Sequence, residues 1–194
     1  MYLKPTMTSL SHPLRIAELS VKGFTGMIGI TLCPGKKGCS VYARQEWARD
    51  LDIDLEVIRG WGSGVVVTLL EDHEFDLLHI RQLPDSVRGR GMFWLHLPVK
   101  DVAIPDDRFT AVWADAVLML CEVLRAGKNL LIHCRGGLGR SGLIAALLLR
   151  ESGETALAAT GRVREVRPGA IETSDQERYV MNYVPWLRGD IRCI

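Results

Sequence analysis

The chain of 194 residues is 47% hydrophobic, enough to bury one core, and its length requires no second, so a single domain over residues 1–194 is expected. Its 24 basic and 23 acidic residues leave a net charge of +1, which excludes a global field for nucleic acid or an anionic membrane. Residues 1–16 hold no apolar signal core, and the longest apolar run, 143–149, falls far short of the ~18 residues of a membrane span. A soluble, unprocessed, cytoplasmic protein is expected, with no nucleic-acid partner and no membrane partner.

In chain order, residues 1–14 carry no periodic pattern and read as a loose N-terminal arm. A strand is expected at 29–32 and a helix at 42–50. Strands follow at 55–58, 65–70, 93–97 and 130–133. Helical patterns cover 109–126, with Val112, Ala116, Leu120 and Leu124 on one face, then 138–151, 154–164 and 174–187. Proline and glycine place loops at 34–35, 60–64, 84–91, 98–105, 136–139 and 168–169. Strands precede helices through the second half, which predicts an α/β fold with a central, mostly parallel sheet.

Five scattered cysteines, Cys33, Cys39, Cys121, Cys134 and Cys193, fit a reducing compartment better than a disulfide framework. Cys134 stands apart by its setting. His133-Cys134-Arg135-Gly136-Gly137-Leu138-Gly139-Arg140-Ser141 follows an apolar strand and opens an apolar helix. Three glycines, Gly136, Gly137 and Gly139, let the backbone turn tightly with its N–H groups converging, and the helix behind them adds partial positive charge, so the loop forms an anion cradle. Arg140 brings a planar guanidinium that can hold two phosphate oxygens at once. Cys134, at the base of this loop, is favoured as thiolate and hence as nucleophile. Ser141 can donate its hydroxyl to the sulfur, and His133 can brace the loop from behind.

Two rival readings of the loop are weaker. Gly137-Leu138-Gly139-Arg140-Ser141-Gly142 also spells a dinucleotide fingerprint, but the second strand and terminal acid which that motif requires are replaced by an alanine-rich helical pattern. A nucleoside-triphosphate loop lacks its Gly-Lys-Ser/Thr.

Expelling an alcohol or phenol from a phosphate ester needs a proton donor. Asp101 lies between Pro98 and Pro105, past the end of a predicted strand, and is the expected general acid. Asp106 and Asp107 sit where a helix begins and read as capping residues, and Asp85 reads as a turn residue. Gln176 can orient the water that hydrolyses a phosphocysteine; the structural alternative is a helix start capped by Thr173 or Ser174. Arg81, Arg88 and Arg90 read as a solvated loop face.

These residues together resemble the dual-specificity branch of the protein tyrosine phosphatases, and within it the kinase-associated phosphatase (cyclin-dependent kinase inhibitor) family. The likeness runs through Cys33-Pro34-Gly35, residues 65–71, the loop 97–105, the signature 133–141, and Ala170-Ile171-Glu172-Thr173 with Gln176. The resemblance implies a sheet of about five strands flanked by helices, Cys134 as nucleophile, Asp101 as acid, Arg140 and the loop amides as phosphate binders, and Ser141 as leaving-group helper. The loop amides so implied are those of Arg135, Gly136, Gly137, Leu138 and Gly139, and no metal or organic cofactor is implied. A phosphorylated protein or peptide is the expected substrate, and a monomer is expected. The chain lacks the Trp-Pro-Asp acid loop and the Lys-Asn-Arg-Tyr loop of tyrosine-only enzymes, which implies a shallower site open to phosphoserine and phosphothreonine. The alternative reading is a binding module that recognises phosphorylated residues without cleaving them. A redox role would pair Cys33 or Cys39 with an oxidised Cys134.

Overall fold

The computed structural model of the protein describes residues 6–39 and 46–187. Its elements in order are β1 (Thr6–Met7), β2 (Ala17–Ser20), β3 (Met27–Thr31), β4 (Lys37–Cys39), β5 (Glu46–Ala48), α1 (Leu51–Gly60), β6 (Ser63–Thr68), α2 (Asp72–Leu77), α3 (Leu83–Arg88), β7 (Phe93–His96), α4 (Asp107–Arg125), β8 (Asn129–His133), α5 (Gly139–Glu151), α6 (Ala156–Val166) and α7 (Ser174–Asn182).

The main sheet has five strands in the order β2-β3-β8-β6-β7, and only β2 runs antiparallel. Alternation along its central strands explains the layering. Val65, Val67, Leu130 and Ile132 face one core with α4 and α5, while Val66 and Leu131 face a second with Leu55, Ile58, Leu83 and Val87. Both faces are therefore covered, as a parallel sheet requires. Residues 139–149 of α5 are buried all round, so the helix behind the signature loop is the most enclosed in the fold.

Register fixes where chemistry can sit. Thr31 pairs with His133, His133 with Thr68, and Thr68 with His96, so four parallel strands end in one row. The loops carrying Cys134, Asp101 and residues 69–71 all leave from that edge, the usual place for a ligand in an α/β sheet.

Several sequence expectations need correction. Residues 55–58 are not a strand but the middle of α1: Leu51, Leu55 and Ile58 lie one helical face apart and are buried together, and Asp50 caps the helix through Ile53 N. The helix expected at 42–50 is instead β5 at Glu46–Ala48, paired on both sides in a second sheet of order β1-β5-β4; residues 42–45 lie outside the described part. The loop expected at 84–91 contains α3, because Pro84 sits in a first turn where its missing N–H costs nothing. The last helix stops at Asn182, five residues before the expected end.

The N-terminal stretch read as an arm contributes β1 and is tied further in by Arg49, whose guanidinium donates to His12 O at 2.8 Å and to the buried Asp54 carboxylate at 2.7 Å. Asp54 also accepts from Gly35 N at 2.9 Å.

His133, at the row of strand ends, has no solvent exposure, and its Nε2 meets Thr68 Oγ1 at 2.8 Å. The Trp94 indole donates to that same hydroxyl at 2.9 Å, which leaves the Thr68 proton for the imidazole. Burial pushes His133 down to about 4, against a partial counter-effect from the Cys134 backbone. The folded chain thus holds His133 neutral below the pH at which an unfolded histidine charges, so this stabilisation is complete above pH ~6.5 and drains away as pH falls towards 4. Denaturant unfolding should lose about 2 kcal/mol between pH 6.5 and 5. A stability that stays flat across that window would contradict a buried neutral His133.

Candidate active site

The loop from β8 to α5 is shaped by one backbone position above all. Gly137 has φ +68°, and a Cβ there would stand 2.3 Å from the Thr31 carbonyl oxygen, so only glycine lets the loop lie against β3. Folded this way, the loop brings Gly137 N to 3.2 Å from Cys134 Sγ, a donor aimed at the sulfur. Cys134 itself is only 4% exposed.

The loop is also gripped from outside through its carbonyls. Arg167 donates Nε to Gly137 O at 2.9 Å and Nη2 to Gly136 O at 3.1 Å. Lys36 Nζ donates to Arg135 O at 3.2 Å, where Cys33 N also donates at 3.4 Å.

Arg140 is the hub. Its side chain is 1% exposed, and it donates Nη1 to Glu74 Oε2 at 2.6 Å and Nη2 to Glu74 Oε1 at 2.9 Å. Nη1 reaches Leu69 O at 3.3 Å and Val99 O at 3.1 Å as well, tying the β6–α2 loop and the acid loop to the start of α5. Burial works against the charge of Arg140, but the Glu74 hydrogen bonds, then the charges of Cys134, Glu74 and Asp101, outweigh it and push its pKa up. Burial likewise raises the Glu74 carboxyl, and the Arg140 bonds more than reverse this, leaving it below the usual carboxylate range. Arg140 Nε is buried without a hydrogen-bond partner among the described residues. It is a donor suited to a phosphate oxygen.

Asp101 meets the same guanidinium. Its Oδ1 lies 2.8 Å from Arg140 Nη2, and its side chain is half exposed. The loop holding it is drawn in by Val99 N on Leu69 O at 3.2 Å and bent by Val102 at φ +53°. Across the site, Ile171 at φ +58° precedes Glu172, whose Oε2 accepts from Gly139 N at 2.7 Å. A β-branched residue in the left-handed region costs of order 1–3 kcal/mol, and here both such residues flank a carboxylate that reaches the loop. Asp106 caps α4 through Phe109 N at 3.0 Å, as its sequence position suggested.

The structure brings Arg140 and Asp101 together beside the loop that carries Cys134, and Ser141 and Gln176 are both buried there. The Ser141 hydroxyl is fully buried with no hydrogen-bond partner among the described residues, so the bond to Cys134 sulfur is not made in this state. Gln176 is also fully buried, and its amide is engaged at both ends: Nε2 donates to Ala103 O at 3.0 Å and Oε1 accepts from Glu172 N at 3.0 Å. It clamps the acid loop to the 170–173 segment, and Thr173 caps α7 through Gln176 N at 3.1 Å. Cys33 is buried, and burial pushes its thiol far above the usual range, which suits a packed residue. Arg81, Arg88 and Arg90 pair with Asp76, Asp85 and Asp52.

Two site residues escaped sequence reasoning. Glu74 belongs to a six-residue helix with no visible period, although Glu71 and Glu74 spell a capping box after a strand ending on the site's edge. Glu172 lay inside a motif noted for Gln176.

This arrangement can be set beside known proteins. Residues 61–180 match the family described as Swiss Army Knife protein, DSP-PTPase phosphatase domain (PTP-SAK). The chain belongs to this family. Cyclin-dependent kinase inhibitor 3 of Mus musculus is 30% identical over 175 residues, covering 88% of this chain and 79% of the relative. The putative tyrosine phosphatase 067L of Invertebrate iridescent virus 3 is 30% identical over 127 residues, covering 62% of this chain and 50% of the relative. Among solved structures, kinase associated phosphatase with serine at its catalytic-site cysteine superposes with TM-score 0.75 at 26% identity, covering 87% of this chain and 92% of that one. Tk-PTP in the active form gives TM-score 0.63 at 28% identity, covering 87% and 98%. The PTP-SAK chain is thus a phosphatase of the protein tyrosine and dual-specificity class, with the mixed sheet and flanking helices of that fold.

If Arg140 depends on Glu74, Glu74→Ala should cost about 3–5 kcal/mol in denaturant unfolding, because it strands a buried guanidinium. The loss should shrink as pH falls, since the wild-type contribution is present above the ordinary carboxyl pKa and disappears as Glu74 protonates. A cost under 1 kcal/mol at pH 7 would show that Arg140 finds its support elsewhere.

Proposed function

We propose that the PTP-SAK chain hydrolyses phosphate monoesters of phosphotyrosine, phosphoserine or phosphothreonine through a phosphocysteine on Cys134. The reading is carried by one observation: Arg140, six residues after Cys134, presents Nη2 at 2.8 Å to the Asp101 carboxylate while its Nε stays buried and unbonded. Phosphate binder and acid thus meet over the loop that holds the sulfur.

In the first step Cys134 Sγ attacks phosphorus in line, the S–P bond forms, and the P–O bond to the leaving group breaks. Arg140 and the amides of residues 135–139 hold the three equatorial oxygens. Asp101, protonated, gives its proton to the leaving oxygen, so an alcohol or phenol departs neutral. In the second step water attacks the phosphocysteine, Asp101 takes the proton, and the S–P bond breaks to restore the thiolate. Ser141, with its hydroxyl uncommitted, is available to the departing sulfur. Gln176 serves by holding Ala103, and with it the acid loop, in place. Entry of phosphate displaces two resident carboxylates, Asp101 from Arg140 and Glu172 from Gly139.

A phosphorylated protein is the proposed substrate, handled by a monomer in the cytoplasm without metal or organic cofactor. With a reductant and a chelator present, the wild type should hydrolyse a chromogenic aryl phosphate and be inhibited by orthovanadate, and Cys134→Ser should lose about 10⁴-fold or more in kcat. Asp101→Asn should slow an alkyl phosphate by about 10²–10⁴-fold and an activated aryl phosphate much less. Equal slowing of both would remove Asp101 as the acid.

A further inference from the structure

A cavity of about 420 Å³ lies between the first half of α4, α7 and the segment that follows α7, and four of its lining residues are aromatic: Trp113, Tyr179, Tyr183 and Trp186. Trp113 is 2% exposed and stacks on Phe109, so it forms the floor. Tyr179 and Tyr183 stack on each other with ring centroids 6.5 Å apart, and Trp186 is 54% exposed at the mouth.

A buried carboxylate holds these rings in place. Glu151, at the end of α5, has no solvent exposure, and it accepts from the Tyr183 hydroxyl, from Trp186 N at 3.1 Å and from Leu187 N at 2.9 Å. Trp113 Nε1 donates in turn to Tyr183 Oη at 2.6 Å, which gives a chain from indole to phenol to carboxylate. Burial first, then the Glu151 bond, push the Tyr183 phenol far above its usual range, so it stays protonated and remains the donor. None of the three donors to Glu151 is charged, so the field of the carboxylate is not cancelled within its own hydrogen bonds. A phenol that donates to a carboxylate also has the more electron-rich ring, and the negative faces of the rings add to that field. The rim adds Asp175, whose pair with Arg178 at 3.3 Å is exposed on both sides and screened by water.

We propose that this cavity binds a quaternary ammonium group, with its methyls against Tyr179, Tyr183 and Trp186 and its charge answered by the ring faces and by Glu151 behind Tyr183. A primary ammonium holds its water strongly and needs acceptors for three N–H groups; a fully methylated one has no N–H to satisfy and meets ring faces well. About 420 Å³ admits such a head group together with the chain that carries it. Choline and a trimethylated lysine side chain both present this head group. The site uses no residue of the signature loop and is independent of the phosphatase reading.

The test is calorimetric titration of the full chain with choline and with its uncharged tert-butyl isostere, in which carbon replaces nitrogen, using wild type, Trp186→Leu and Trp186→Phe. The wild type should bind choline saturably and about tenfold or more tightly than the isostere, as expected where ring faces meet a desolvated cation. Trp186→Leu keeps the apolar contact but removes a ring face, so it should weaken choline about tenfold and the isostere little, while Trp186→Phe should keep most of the choline affinity. Trp186 is more than half exposed, so both variants should keep the wild-type unfolding midpoint, which separates loss of the site from loss of the fold. Equal affinity for choline and the isostere would overturn the inference, because the cavity would then be selecting apolar bulk alone. So would the absence of saturable choline binding below about 10 mM, or choline binding unchanged in Trp186→Leu. A peptide with trimethyllysine and its unmethylated counterpart identify the carrier. Tighter binding of the methylated peptide than of choline assigns the site to a methylated protein, and the reverse order assigns it to a small soluble ligand. Equal binding of the two peptides would again overturn it. None of these readings depends on turnover, so they hold whether or not an aryl phosphate is hydrolysed.

Discussion

The buried guanidinium of Arg140 is the constraint around which the site is organised. Removing such a charge from water costs several kcal/mol unless every donor is used well, and four of the acceptors in reach come from three separate segments. Glu74 supplies two oxygens, Leu69 and Val99 one carbonyl each. Because the penalty for misplacing any of them is large, the β6–α2 loop, the acid loop and the start of α5 are locked in mutual position. What remains unmatched is Nε, and that is the donor left for an incoming oxygen.

A second layer of constraint acts on the loop backbone. Gly137 is pressed to Thr31, its carbonyl and that of Gly136 are held by Arg167, and the Arg135 carbonyl is held by Lys36 and the Cys33 amide. Carbonyls fixed from outside keep the loop from relaxing into a flatter turn, so the amide of Gly137 stays on the sulfur. The strain at Val102 and Ile171 belongs to the same economy: a rigid surround holds two unfavourable backbone positions that aim Asp101 and Glu172 inward.

Legibility from sequence followed the range of the forces involved. The strand, glycine turn and apolar helix around Cys134 are local and periodic, and they were readable, as were β3, β6, β7, β8 and α4 to α6. Residues 46–48 were not, because their strand state is set by pairing with β1 and β4 on either side, a tertiary choice that overrides local preference. Residues 55–58 carry a short apolar run that fits strand or helix equally, and the helix is marked only when Leu51 and the Asp50 cap upstream are read with it. At the site, Cys134 and Arg140 announce themselves by spacing and Asp101 by its prolines. Glu74 does not, since its partner lies 66 residues away. Gln176 reads in sequence as a residue able to orient a water, and its burial and its bonds to Ala103 and Glu172 are not visible there.

The proposed catalysis turns on a covalent bond between Cys134 and phosphorus. Rapid acid quench of the wild type during turnover of an aryl phosphate labelled with ³²P, followed by peptide mapping, reads that bond directly. Label on the peptide containing Cys134, appearing with a burst of phenol, absent in Cys134→Ser and discharged by water, is the predicted result. Turnover with no label on that peptide at any quench time would contradict the mechanism and require the water to attack the ester itself.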